Sequence, residues 1–203
     1  MPTPKLSITL RNATEVVDKL QKYKSESENL EAKYQHFISE MIMLRLFATF
    51  EKTVAEMAFK LAAGASYLNG TLPNLTIRAN NMNASRGLFL AHGRAKPRQN
   101  LQWTKAKYIK ESVQFVIPVS EQFIKYAQIH GSSISEMRKV RNVLAHNNFK
   151  AKKDFNTVVR QIYGANIGIS IGAFLATTRR SPISNLNRYI ATTKIIIQDM
   201  AKG

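Results

Sequence analysis

The stretch Met41-Ile-Met-Leu-Arg-Leu-Phe-Ala-Thr-Phe50 decides the fold class. It is apolar nearly all round at helical spacing, which marks a central buried helix. It lies within a run from Asn12 to Ala63 that holds neither Pro nor Gly, the residues that most often end helices. Through that run Leu20, Tyr23, Leu30, Tyr34, Phe37, Met41, Leu44, Ala48 and Ala55 recur at steps of three and four, with Ser27 and Glu51 filling the two gaps. The pattern predicts two consecutive helices or one long bent one, with a break at Lys24-Ser-Glu-Ser-Glu-Asn29. Glu51 falls in the apolar seam, so a buried carboxylate is expected there, and it needs a partner. A structural ion pair with a core arginine satisfies that need, and so does a role positioning Arg141 or His146.

Beyond this run, Gly64, Gly70, Pro73, Gly87, Gly93 and Pro97 punctuate residues 64–103, which read as a long irregular basic insertion directed toward a substrate. Trp103 and Tyr108 are available to stack on a base, and Trp103 equally to pack in a core. Helix is expected from Thr104 to Pro118 and from Val119 to His130, split at Pro118. Phe149–Phe155 reads as a basic link into a helix over Asn156–Tyr163. The uncharged, Gly-stepped segment Gln161–Thr178 is too polar for a good membrane span and reads as a buried helix, a strand pair or a loop–strand element. Arg179-Arg180-Ser181-Pro182 ends it, and an amphipathic helix from Ile183 to Met200 follows.

Between Gly131 and Phe149 the types of residue change. Ser133-Ile-Ser-Glu136 has the form of a capping box, and Met137, Val140 and Leu144 form an apolar face. Arg138, Asn142 and His146 are four apart and share another stripe, with Arg141 beside it. This is the equipment for holding a phosphate and moving a proton beside it. An imidazole, with an ordinary pKa of about 6.5, can take the proton of a ribose 2′-hydroxyl near neutral pH. A guanidinium stabilises the added charge on a pentacoordinate phosphate, and a carboxamide orients the ring or donates to a phosphate oxygen. The same residues can also serve only as a helix-end cap and solvated surface charges.

The net charge of +17 is unevenly placed. Residues 1–56 carry eight basic and eight acidic side chains, whereas the rest carry 22 and five. Between Glu56 and Glu111 stand nine basic residues (Lys60, Arg78, Arg86, Arg94, Lys96, Arg98, Lys105, Lys107 and Lys110) and no acidic one. Such asymmetry favours a polyanionic partner, since each neutralised phosphate releases counterions. With no cysteine and four scattered histidines, no disulfide, thiolate zinc site or other metal centre is expected. The N-terminal residues lack a hydrophobic signal core, so a cytoplasmic location with no membrane association is expected.

The string Arg141-Asn142-Val-Leu-Ala-His146 resembles the Arg-x4-His signature of HEPN domains, many of which are metal-independent ribonucleases. Arg45-Leu-Phe-Ala-Thr-Phe-Glu51 looks like the Arg- and Glu-bearing helix that many relatives carry ahead of the motif helix. The resemblance covers the two early helices and the motif helix, about half the chain. It implies one all-α domain over 1–203, an antiparallel helical bundle, with 64–103 as an insertion. It further implies RNA cleavage by 2′-hydroxyl attack, with His146 as general base and Arg141 stabilising the phosphorane. Asn142 and Glu51 are the remaining catalytic candidates, Arg138, Lys139, Lys150, Lys152 and Lys153 the substrate-binding ones, and no cofactor or metal is called for. A homodimer with facing motifs is implied, as is a toxin or defence role with an acidic antitoxin or other neutralising partner. Position 148 is Asn, where the subgroup silenced by nucleotidyl transfer has Tyr. The alternatives are a non-catalytic nucleic-acid-binding module and a helical protein-interaction module.

Overall fold

The computed structural model describes residues 4–179 and 181–203. Every regular element among them is an α-helix: α1 (Leu6–Ser27), α2 (Ala32–Ala62), α3 (Met82–Ala91), α4 (Ala106–Val113), α5 (Gln122–Ile129), α6 (Gly131–His146), α7 (Phe149–Tyr163), α8 (Ile171–Ala176) and α9 (Asn185–Lys202). The chain is all-α, as the periodicity predicts. It gathers into two compact units that interleave along the sequence. The first comprises the described part of Met1–Thr14 with Phe50–Ile134 and Ile195–Gly203, the second Glu15–Thr49 and Ser135–Lys194.

The expected break between the first two helices falls at residues 28–31. There Leu30 N–H donates to the Ser27 carbonyl at 3.0 Å, and the Gln35 amide donates to the Glu28 and Leu30 carbonyls at 3.0 and 2.7 Å. The seam that defined these helices in the sequence is not their core. Tyr23, Leu30, Tyr34, Phe37, Met41 and Ala48 are exposed, while Ile42, Met43, Leu46, Phe47 and Phe50 are buried. The central helix is therefore not buried all round, and Glu51 is half-buried and partnered rather than enclosed.

In the first unit, ion pairs and hydrogen bonds replace much of the expected basic surface. Glu56 accepts from the Thr9 hydroxyl at 2.7 Å and from Lys60 at 2.9 Å. Burial alone would raise the Glu56 carboxyl, yet these two donors hold it below the usual range. Residues 64–103 are not wholly irregular, because they contain α3, whose Asn81 side chain caps the Ala84 N–H at 2.9 Å. The Arg94 guanidinium donates to the carbonyls of Glu111 and Ser112 at 2.7 and 3.1 Å, closing the end of α4. Arg98 pairs with Glu111 at 3.2 Å. These two arginines hold the segment to its own unit, while Arg78, Arg86 and Lys96 stay exposed. Trp103 packs edge-on against Phe59 with ring centres 5.9 Å apart, so it takes the packing role rather than the base-stacking one. The helices after it are shorter than expected, since α4 ends at Val113 and α5 begins at Gln122. Between them the Glu121 carboxylate accepts from the Tyr67 hydroxyl at 3.0 Å and from the Asn74 N–H at 3.1 Å.

The second unit has a ring cluster of its own. Phe174 of α8 meets Phe155 and Tyr163 of α7 edge-on at 5.2 and 6.2 Å. Asn185 donates to the Tyr163 hydroxyl at 3.1 Å and to the Phe174 carbonyl at 2.8 Å. The Gly-stepped segment is thus the end of α7, a link and the short α8, with no strand among the described residues. Gly164 (φ +77°) ends α7 in the left-handed conformation that a side chain rarely adopts. Gly172 lies so close to the backbone and Cβ of His36 that a methyl group there would overlap them. Arg180 of the expected terminating segment lies outside the described residues.

Candidate functional site

The motif helix α6 begins at Gly131, two residues before the expected cap, so Ser133 lies inside it and no capping box forms. Gly131 stands at the boundary between α5 and α6, where a Cβ would make an ordinary 3.4 Å contact with the Ala106 Cβ. Glu136 is engaged elsewhere, accepting from Arg188 at 2.6 Å and from the Tyr189 hydroxyl at 2.7 Å, both on α9. Burial, reinforced by the Glu136 charge, pushes the Tyr189 hydroxyl well above its ordinary value, so it remains a donor. Arg188 is partly desolvated, yet its bond to Glu136 raises its pKa further. Ile134, Met137, Val140 and Val143 bury one face of α6, which leaves the polar stripe facing away from that core.

On and beside that stripe Arg138, Lys139, Arg141 and Asn142 are half-exposed, and His146 is exposed at the helix end. The Arg141 guanidinium lies over the buried Phe47 ring, 5.2 Å from its centre, and donates to the Asn142 side-chain oxygen at 3.1 Å. Arg141 has further partners besides these. Its plane is thereby fixed, and the Asn142 oxygen is occupied while its NH2 group can still donate. His146 follows Asn142 by one turn on the same stripe.

The chain then turns a corner. Asn147 N–H closes α6 on the Val143 carbonyl at 3.0 Å and has φ +42°, the one left-handed non-glycine residue among those described. Asn148 caps α7, its side chain accepting from the Ala151 N–H at 2.9 Å. The helix starts at Phe149, so the expected basic link is its first half, and exposed Lys150, Lys152 and Lys153 ring its first turns. Sequence reasoning missed the cap and the exposed Phe149 beside it. The signal was present as an Asn directly before the apolar run Ala151, Phe155, Val158 and Val159.

Arg138, Lys139, Arg141, Asn142, His146, Lys150, Lys152 and Lys153 thus lie on α6 and α7 of one unit. Glu51 belongs to the other unit. Comparison of the chain with family models, with curated proteins and with solved structures finds no match in any of the three. The reading of this site accordingly rests on its own chemistry. Among the described residues no three His, Asp or Glu side chains come together as a metal-holding group, and no helix is long and apolar enough to cross a membrane.

Proposed function

We propose that this chain is a HEPN-type endoribonuclease whose working groups are His146, Arg141 and Asn142. The observation that carries the reading is the accessible His146 imidazole one turn beyond Asn142, whose side chain holds Arg141 over Phe47, beside a lysine-rich helix start. In the reaction His146 takes the 2′-hydroxyl proton, and the 2′-oxygen forms a bond to phosphorus as the bond to the 5′-oxygen breaks. The leaving 5′-oxygen takes a proton from solvent, giving a 2′,3′-cyclic phosphate and a 5′-hydroxyl. Arg141 and the Asn142 NH2 stabilise the phosphorane, while Arg138, Lys139, Lys150, Lys152 and Lys153 hold the flanking backbone. A DNA strand of the same sequence lacks the nucleophile and is expected to bind yet stay intact; its cleavage at a rate like that of RNA rejects the mechanism.

The same proposal makes the protein a homodimer, and the exposed seam of the second unit supports this. Tyr34, Phe37 and Met41 follow one another at steps of three and four along α2 and are exposed, as is Tyr23 on α1. Tyr23 and Met41 line an open apolar groove of about 530 Å3 together with Leu20, Leu30, Ile38, Ile42 and Arg45. In a two-fold antiparallel pairing of α2 helices centred on Phe37 and Ile38, Tyr34 of each copy meets Met41 of the other. Arg45 then falls within a turn of the other copy's Glu31, so the charges at the ends are complementary. Phe37→Glu is expected to convert a dimer to a monomer in light scattering at about 20 μM, a concentration well above the Kd of an ordinary stable interface. A wild-type chain that is itself monomeric there removes the dimer from the proposal. A neutralising acidic partner would suit the charge of +17 and the role of a toxin or defence effector in the cytoplasm.

The groove also favours a second reading, a helical protein-interaction module that holds another chain along this seam. That reading predicts indifference to RNA. A chain that retains RNA with a steep salt dependence but releases no product is instead a non-catalytic nucleic-acid-binding module.

A further inference from the structure

Phe149 is the most exposed large apolar side chain among those described, with 85% of its surface open to solvent. A single exposed apolar residue is ordinary on a protein surface. Its surroundings set this one apart. It stands three residues after His146, so their Cα atoms are at most ~11 Å apart. The intervening residues are held: Asn147 takes a left-handed conformation at the end of α6, and the Asn148 side chain caps α7. The ring is therefore presented from a fixed corner and not from a pliant loop. Lys150, Lys152 and Lys153 follow it immediately and are exposed, and no acidic residue intervenes before Asp154.

An exposed aromatic face amid cations is what single-stranded RNA recognition uses, because every base offers a π-face to stack and every linkage a phosphate to pair. The geometry points to Phe149 as a stacking platform for an unpaired nucleobase beside the cleaved linkage, setting which phosphate rests at His146. This inference rests on the ribonuclease reading and adds a binding residue to it. The ligand class is single-stranded RNA with an unpaired base next to the scissile phosphate. Duplex RNA, whose bases are already stacked, cannot use the platform.

The test uses the full chain and a single-stranded RNA bearing 2-aminopurine next to the cleaved linkage, whose fluorescence falls when the base stacks. Wild type is expected to quench it. Phe149→Ala is expected to abolish the quench and raise KM about tenfold, the size of one lost base–aromatic stack. Phe149→Tyr, which keeps a ring, should restore both. Phe149→Ala that cleaves the same linkages with unchanged KM and quenching overturns the platform and leaves the ribonuclease reading standing. Wild type that neither binds nor cleaves the strand overturns both. Loss of a bound protein partner in Phe149→Ala, with RNA behaviour unchanged, assigns the ring to a protein contact and overturns the platform.

Discussion

His146→Ala is expected to lower RNA cleavage by roughly 10²–10⁴-fold, the usual contribution of a positioned general base. The fold should be unaffected, since the ring is exposed at the last residue of α6 and the adjoining corner is held by the Asn147 N–H and the Asn148 side chain. Binding of RNA should persist, so the loss should appear in kcat and hardly in KM. Arg141→Ala is expected to fall by a similar factor, because the charge that builds on phosphorus would lose a donor that never deprotonates. It also removes the guanidinium from the Phe47 ring, so Arg141→Lys is the better companion: it keeps the charge and loses the planar fork. Single-turnover rates with a labelled strand measure these effects. Wild-type rates in both His146→Ala and Arg141→Lys would remove the motif from the mechanism.

Glu136→Ala should lower stability by about 1–2 kcal/mol, since the pair is partly exposed and solvent screens it. One carboxylate oxygen accepts from both Arg188 and Tyr189. Its removal leaves a buried hydroxyl donor and a half-buried guanidinium without their shared acceptor. Glu136→Gln retains an acceptor but loses the charge and should cost about half as much. Urea unfolding reports the difference as a lower midpoint with unchanged slope. A loss under 0.5 kcal/mol for Glu136→Ala would mean that solvent replaces the carboxylate and that α9 is held by its apolar face alone. Because Glu136 lies outside the polar stripe of Arg138, Asn142 and His146, the folded fraction of this variant should still cleave RNA.

Helix content and the presence of the motif helix were legible because both depend on local spacing. Three readings failed where tertiary partners decide. The periodic seam from Tyr23 to Ala48 reads as a core in the sequence, yet the structure buries the neighbouring face at Ile42, Met43, Leu46 and Phe47. A heptad pattern records that a helix has a pairing face and does not say whether the partner is the same chain. The Ser133–Glu136 pattern suits a helix start, but Gly131 continues into helix, and Glu136 is claimed by residues more than fifty positions away. Arg94 and Arg98 read as free cations because bonds to backbone carbonyls, such as those of Arg94 to Glu111 and Ser112, leave no trace in side-chain pattern. The site itself was legible in its polar residues and not in its shape. Arg141, Asn142 and His146 announce themselves by type and spacing, whereas the corner that exposes Phe149 depends on the left-handed Asn147 and the capping Asn148.

The central claim meets its most direct test when purified wild type and His146→Ala are incubated with end-labelled single-stranded RNA in EDTA and the fragment ends are identified. Wild type alone is expected to give fragments, each new 3′ end a 2′,3′-cyclic phosphate and each new 5′ end a hydroxyl. Equal fragmentation by both proteins, or intact RNA with both, would contradict it.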